Sequence, residues 1–200
     1  LIAERLKRGQ KKIADSFPAA TVLFADIVNF TPLSSQVSPI ELVELLNSIF
    51  SAFDALVEKH HVEKVKTIGD AYMAVAGVPT VMPDHVSAIA DMALDMHRAI
   101  ADFRTQAGQP IYLRVGIHTG PVVAGIIGNR RFNYDLWGDT VNIASRMESQ
   151  GEVGRTQVTQ AVYEQLQNRY VFVERGQLEV KGKGEMQTYW LVDRIAEFAK

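Results

Sequence analysis

The order in which apolar periodicity changes along residues 20–126 leaves few folds open to this chain. Val22–Asp26 is an apolar run that reads as a strand ending in a carboxylate. Ser38-Pro39-Ile40-Glu41 reads as a capping box with proline at the first helical position. Leu42, Leu45, Leu46, Ile49, Phe53, Leu56 and Val57 follow at helical spacing, so the helix runs to about Lys59. Val62–Thr67 and Ala71–Gly77 are two strands joined through a Gly69-Asp70 turn. Pro79 and Pro83 interrupt the pattern. Asp84 can cap a second amphipathic helix through Ile89, Met92, Ala93, Met96, Ile100 and Phe103. Leu113–Thr119 and Val122–Ile126 then read as a hairpin across Gly120-Pro121. Strand, helix, hairpin, helix, strand is the split βαβ pattern, an α+β ferredoxin-like core.

Further elements extend this core toward the C-terminus. Phe132–Leu136 reads as a short strand, and Thr140–Glu148 as a helix that Asp139 can cap. Thr159 can cap a short helix to about Gln165, and Tyr170–Val180 and Gln187–Val192 finish as strands around Gly182-Lys183-Gly184. At the other end, residues 1–17 carry Arg5, Lys7, Arg8, Lys11 and Lys12 with scattered apolar positions. They read as a linker from an upstream region, either a short helix or a frayed terminus, closed by Pro18. Residues 18–200 remain as one domain, long enough to bury a sizeable core. The chain starts at Leu1 without a signal peptide and reads as a piece of a longer protein, so an upstream regulatory or membrane region is expected.

Bulk chemistry removes several functional classes. A net charge of −2 gives no electrostatic footprint for nucleic acid. With no cysteine there are no disulfides and no thiolate metal sites, and a reducing, cytoplasmic compartment is permitted. No apolar run is long enough to span a bilayer. What stands out is the pair Asp26 and Asp70, one at a strand end and one at a turn. Each alone also suits a helix cap or a turn. Brought together, two carboxylates repel unless a cation sits between them, and hard oxygen ligands suit Mg²⁺ or Mn²⁺ and hence phosphate chemistry. Asn142 and Arg146 are four apart and share a helix face, a spacing that equally fits a solvated polar surface.

Five motifs in order carry a resemblance. Phe24-Ala25-Asp26-Ile27-Val28-Asn29-Phe30-Thr31, Lys66-Thr67-Ile68-Gly69-Asp70 and Arg114-Val115-Gly116-Ile117-His118-Thr119-Gly120 resemble successive motifs of the class III nucleotidyl cyclases. So do Tyr134-Asp135-Leu136-Trp137-Gly138-Asp139-Thr140-Val141-Asn142-Ile143-Ala144-Ser145-Arg146 and Lys181-Gly182-Lys183-Gly184-Glu185. The similarity runs from about Ala20 to Val192. It implies attack of a ribose 3′-oxygen on the α-phosphorus of the same nucleoside triphosphate, with pyrophosphate leaving. It further implies two Mg²⁺ (or Mn²⁺) per site on Asp26, Asp70 and the Ile27 carbonyl. Asn29, Phe30 and Thr31 would open a helical turn whose N–H groups face the triphosphate. Asn142 would position the ribose, and Arg146 would stabilise charge developing at the α-phosphate. Lys181 and Arg130 would contact the terminal phosphates, with adjacent Arg131 the alternative in register. Lys183 is expected to face solvent, and His118 to be a buried structural histidine.

The resemblance also bears on the base and on assembly. Adenylyl members read adenine with a Lys and an Asp at the positions of Lys66 and Asp135. Lys66 can donate to adenine N1 and Asp135 can accept from the 6-amino group, whereas guanine reverses both. Guanylyl members carry Glu and a small residue or Cys there. Lys66 taken alone also suits an edge strand guarded against aggregation. In the family the metal carboxylates come from one subunit and the base, ribose and arginine contacts from the other. This chain has both sets, so a homodimer with two shared sites is implied. The expected activity is adenylyl cyclase. The alternatives are a guanylyl cyclase, a nucleotide-sensing dimerisation module without turnover, and a palm-type phosphotransferase, which lacks the Asn142/Arg146 motif.

Overall fold

The computed structural model describes residues 13–28, 30, 37–105, 108–127 and 133–196. Helix α1 (Pro39–His60) starts where the capping box places it. The Ser38 hydroxyl accepts the Glu41 N–H at 3.3 Å, and the Glu41 carboxylate accepts the Ser38 N–H at 2.9 Å. Strands β2 (Glu63–Ile68) and β3 (Ala71–Ala76) form the hairpin expected at Gly69-Asp70. Helix α2 (His85–Ile100) follows Asp84, whose side chain makes no capping bond. Phe103 lies past the helix end yet packs on the same core.

Strand β1 (Ile13–Ile27) pairs antiparallel with β3 on one side and with β4 (Leu113–Ile127) on the other. The order β2-β3-β1-β4, antiparallel throughout, is the split βαβ core. The extension adds β5 (Asn133–Trp137), α3 (Asp139–Ser149), β6 (Thr156–Thr159), α4 (Gln160–Leu166), β7 (Tyr170–Val180) and β8 (Gly184–Arg194). One sheet results, ordered β2-β3-β1-β4-β6-β8-β7, with β5 also on β4. Strand period two splits β1 between two cores. Leu23, Ala25 and Ile27 face α1 and α2, where Ile49, Phe53, Ile89 and Met92 are fully buried. Val22 and Phe24 face the opposite way, against Met73, Val122, Leu136 and Ala144 of α3. Each such large side chain stabilises the fold by about 1.5–3 kcal/mol. Asp26 continues the second series and therefore points to the α3 side. No helix among the described residues is long and apolar enough to cross a membrane.

Four expectations are corrected. Residues 13–17 are strand, not helix or frayed end: β1 runs through Pro18. Gly120-Pro121 is not a hairpin turn, because β4 is one continuous strand of 15 residues. Both corrections share a cause. The β1–β4 register shifts between Phe17 and Ala20, so Pro18 and Pro121 sit at a bulge where a missing N–H costs no ladder bond. Asp139 does not cap α3. Gly138 holds the cap position, and Asp139 instead pairs with Lys183, which is exposed as expected. Thr159 precedes α4 without a capping bond, because its hydroxyl is engaged by His118. The sequence also gave no sign of β6, four buried residues between β4 and β8.

Candidate active site

The predicted residues fall into three groups, each set by a different part of the fold. At the first, β1 ends and the β2–β3 turn meets it: Asp26 lies opposite Ala71 in register, next to Asp70. Burial, then the Asp70 and Glu148 charges, push Asp26 up to about 6, against the lowering pull of Arg114. The Ile27 side chain is buried, and its main chain lies just past the last β1–β3 pair. Phe30 packs its half-buried ring against the core. Asn29, Thr31, Arg130 and Arg131 lie outside the described residues.

The second group is Lys66 of β2 and Asp135 of β5. Their side chains pair at 2.5 Å, Lys66 Nζ to Asp135 Oδ2, across strands that are not sheet neighbours. The other Asp135 oxygen, Oδ1, accepts the Leu136 N–H at 2.9 Å, which fixes the carboxylate orientation. The third group lines a cleft of about 570 Å³ between α3 and the β7–β8 turn: Asn142, Arg146, Lys181 and the Asp139–Lys183 pair. Asn142 and Arg146 share a helix face, as their spacing predicts. His118 is buried, held down to about 4 by that burial, and bonded through Nδ1 to the Thr159 hydroxyl at 2.8 Å. It is a structural histidine, as expected.

One element of the site was missed from the sequence. Arg114 of β4 reaches two carboxylates at once: Nη2 to Asp26 Oδ2 at 3.1 Å, and Nε to Glu148 Oε1 at 2.7 Å. Glu148 lies on α3, two residues beyond Arg146. Burial raises Glu148 while the Arg114 bond lowers it, and the net direction is up. Two glycines bring these residues together. A Cβ on Gly116 would stand 2.0 Å from the Glu148 backbone nitrogen, and one on Gly151 would stand 3.0 Å from Arg114 Cγ. Helix α3 therefore lies backbone-close on β4 beside Arg114.

The Asp26–Asp70 group fits a divalent cation by its donor chemistry. Asp26 and Asp70 offer hard carboxylates, the Glu148 charge acts on Asp26, and Arg114 contacts both Asp26 and Glu148. Among the described residues no cluster of three or more His, Cys, Asp or Glu side chains is arranged to hold a metal alone. Further donors must come from main chain, water or substrate, the usual way Mg²⁺ is bound beside phosphates.

Similarity to known proteins converges on one family. An adenylate cyclase of Mycobacterium tuberculosis (strain ATCC 25618 / H37Rv) is 54% identical over 194 residues, covering 96% of this chain and 44% of the relative. The human guanylate cyclase soluble subunit beta-2 is 45% identical over 196 residues, covering 97% of this chain and 32% of the relative. The chain thus spans less than half the length of either. The guanylate cyclase domain of RhGC from Catenaria anguillulae, solved in complex with GTP, superimposes with a TM-score of 0.88 at 41% identity. That match covers 90% of this chain and 100% of the solved domain. With the model for the adenylate and guanylate cyclase catalytic domain matching residues 13–193, the chain belongs to that family.

Proposed function

We propose that this domain converts ATP to 3′,5′-cyclic AMP and pyrophosphate, with two Mg²⁺ or Mn²⁺ ions per site, at the interface of a homodimer. The observation that carries the choice of ATP is the Lys66–Asp135 pair. Lys66 brings a donor and Asp135 an acceptor to one place, the complement of the adenine N1 and 6-amino edge. Guanine would set a donor against Lys66 and an acceptor against Asp135, leaving buried polar groups mismatched.

The remaining assignments follow the three groups. Asp26, Asp70 and the Ile27 carbonyl would hold the cations, which would supply neutralising charge and lower the pKa of the attacking hydroxyl. Phe30 packs against the core between Asn29 and Thr31 in sequence, and the resemblance gives the N–H groups of this motif to the phosphates. Asn142 orients the ribose so that the 3′-oxygen lies in line with the leaving pyrophosphate. Arg146 meets the charge that grows on the α-phosphoryl oxygens, and Lys181 and Arg130 meet the terminal phosphates. As the bond from the 3′-oxygen to phosphorus forms, the bond to pyrophosphate breaks and the hydroxyl proton passes to solvent water. In a two-fold dimer the carboxylates of one copy and the α3 cleft of the other complete each site. A regulatory region outside this domain accords with the greater length of the relatives.

Turnover of ATP and GTP, measured across protein concentration, tests substrate and dimer together. ATP should be preferred, and specific activity should rise with concentration. Lys66→Glu combined with Asp135→Cys should turn the preference toward GTP. A guanylyl cyclase is the second reading, favoured by the 45% identity to a guanylate cyclase subunit. A wild type that prefers GTP establishes it and removes the adenine assignment.

A further inference from the structure

The geometry points to Arg114 as a positioning residue with two separable duties: its charge holds the Asp26 carboxylate until a divalent cation arrives, and its forked shape ties that carboxylate to helix α3. The inference rests on the proposed cyclase reading, since it gives Asp26 to the cation and Asn142 and Arg146 to the reacting nucleotide.

The charge comes first. Asp26 is half-buried, and Asp70 and Glu148 are further negative groups that act on it. Among the described residues, Arg114 is the cation that contacts it, at 3.1 Å. A guanidinium is charged at every accessible pH, so it keeps the carboxylate oriented before any metal binds. It would also compete with a metal for that carboxylate.

The shape comes second. A fork donating through Nε to one carboxylate and Nη2 to another fixes their separation, which a point-charge ammonium cannot do. One tine holds the metal carboxylate; the other holds Glu148, two residues along α3 from Arg146. The stem is fixed as well, because Gly151 packs on Arg114 Cγ and Gly116 lets α3 approach β4 at Glu148. In a dimer whose sites take Asp26 from one copy and α3 from the other, this fork joins a residue of one site to a helix of the second.

The two duties are told apart by binding of Mn²⁺ alone, counted from the electron paramagnetic resonance signal of the free ion over the whole chain, beside kcat on ATP. Arg114→Met removes the competing charge, so Mn²⁺ should bind about tenfold more tightly, while kcat falls about a hundredfold as the fork is lost. Arg114→Lys keeps the charge and loses the fork. Its Mn²⁺ affinity should stay within about twofold of wild type while kcat falls as for methionine. Glu148→Gln removes a negative charge, and should weaken Mn²⁺ and lower kcat. Opposite signs for Arg114→Met and Glu148→Gln are beyond the reach of simple structural damage, which loosens the ion in both. Weaker or unchanged Mn²⁺ binding in Arg114→Met, or full kcat in Arg114→Lys, overturns the inference. A wild type that binds Mn²⁺ without turning over nucleotide overturns the cyclase reading instead, and the Mn²⁺ signs still judge the charge of Arg114. A wild type without Mn²⁺ binding overturns both.

Discussion

Two carboxylates of this domain, half-buried Asp26 and buried Asp95, are driven in opposite directions. Burial disfavours the charge on both. At Asp95 of α2 that effect is overridden by hydrogen bonds from Lys59 and His60 and by the charges of Lys59 and Arg194, which hold it at about 2. Lys59 Nζ and His60 Nε2 both lie 2.8 Å from Oδ2, and Arg98 Nη1 lies 2.8 Å from Oδ1. At Asp26 the neighbours are themselves acidic, and one shared guanidinium leaves it at about 6. Asp95 has an excess of positive partners and Asp26 a deficit. A surplus welds elements together: the Asp95 cluster ties the end of α1 to α2 and to the end of β8 through Arg194. A deficit inside a sheet that can afford it marks a place built for a charge from outside.

The sharpest way to break the comparison is to delete each carboxylate. Asp26→Ala should lower cyclase kcat by at least about a thousandfold, with thermal stability kept or raised. Asp70→Ala should behave alike. Asp95→Ala should do the reverse, lowering stability by about 1–3 kcal/mol in chemical denaturation while the folded fraction keeps its specific activity. Equal losses of stability at Asp26 and Asp95 would erase the distinction between a seat and a weld.

Acidity sharpens the same contrast. The Asp95 pKa is depressed below its unfolded value near 3.9, so its contribution is complete above about pH 4 and is lost as pH falls toward 2. The Asp26 pKa is raised, so the folded state binds the proton first and metal-free stability falls as pH climbs from about 4 through about 6. Asp26→Asn should flatten that fall, by up to about 3 kcal/mol relative to wild type, in denaturation at matched pH with chelator present. Added Mn²⁺ should restore the wild type above pH 6 and leave Asp26→Asn unmoved.

Much of this was legible in the residues because the signals are local. The Ser38 box, the Gly69-Asp70 turn and the Asn142/Arg146 spacing each lie within a few positions, and each appears where expected. The Lys66–Asp135 pair spans distant positions, and it was found through family motifs rather than through any pattern of its own. The misreadings arise where tertiary partners override local chemistry. Gly120-Pro121 has the composition of a turn, but the Thr140 hydroxyl donates to the Pro121 carbonyl at 2.7 Å, and the bulge opposite absorbs the proline. Thr156–Thr159 has no apolar alternation, and it is strand because β4 and β8 close on both sides. Arg114 and Glu148 are 34 residues apart, and nothing near either forecasts a fork. The Asp95 cluster draws on α1, α2 and β8 and was equally invisible.

The smallest expected effect probes redundancy. Asp95 keeps several positive partners, so losing one should matter little. Lys59 is 61% exposed and Arg98 is 56% exposed, and ion pairs from such side chains contribute at most about 0.5–1 kcal/mol. Arg98→Ala should therefore shift the unfolding midpoint by about 1–3 °C or less, and Lys59→Ala by a similar amount. The double variant should begin to raise Asp95, because His60 and Arg194 alone then face it, and the acid limb of the stability profile should move up in pH. A large loss from Arg98→Ala alone would mean that Asp95, like Asp26, depends on a single guanidinium. The two carboxylates would then differ in what surrounds them without differing in how far their surroundings can be stripped.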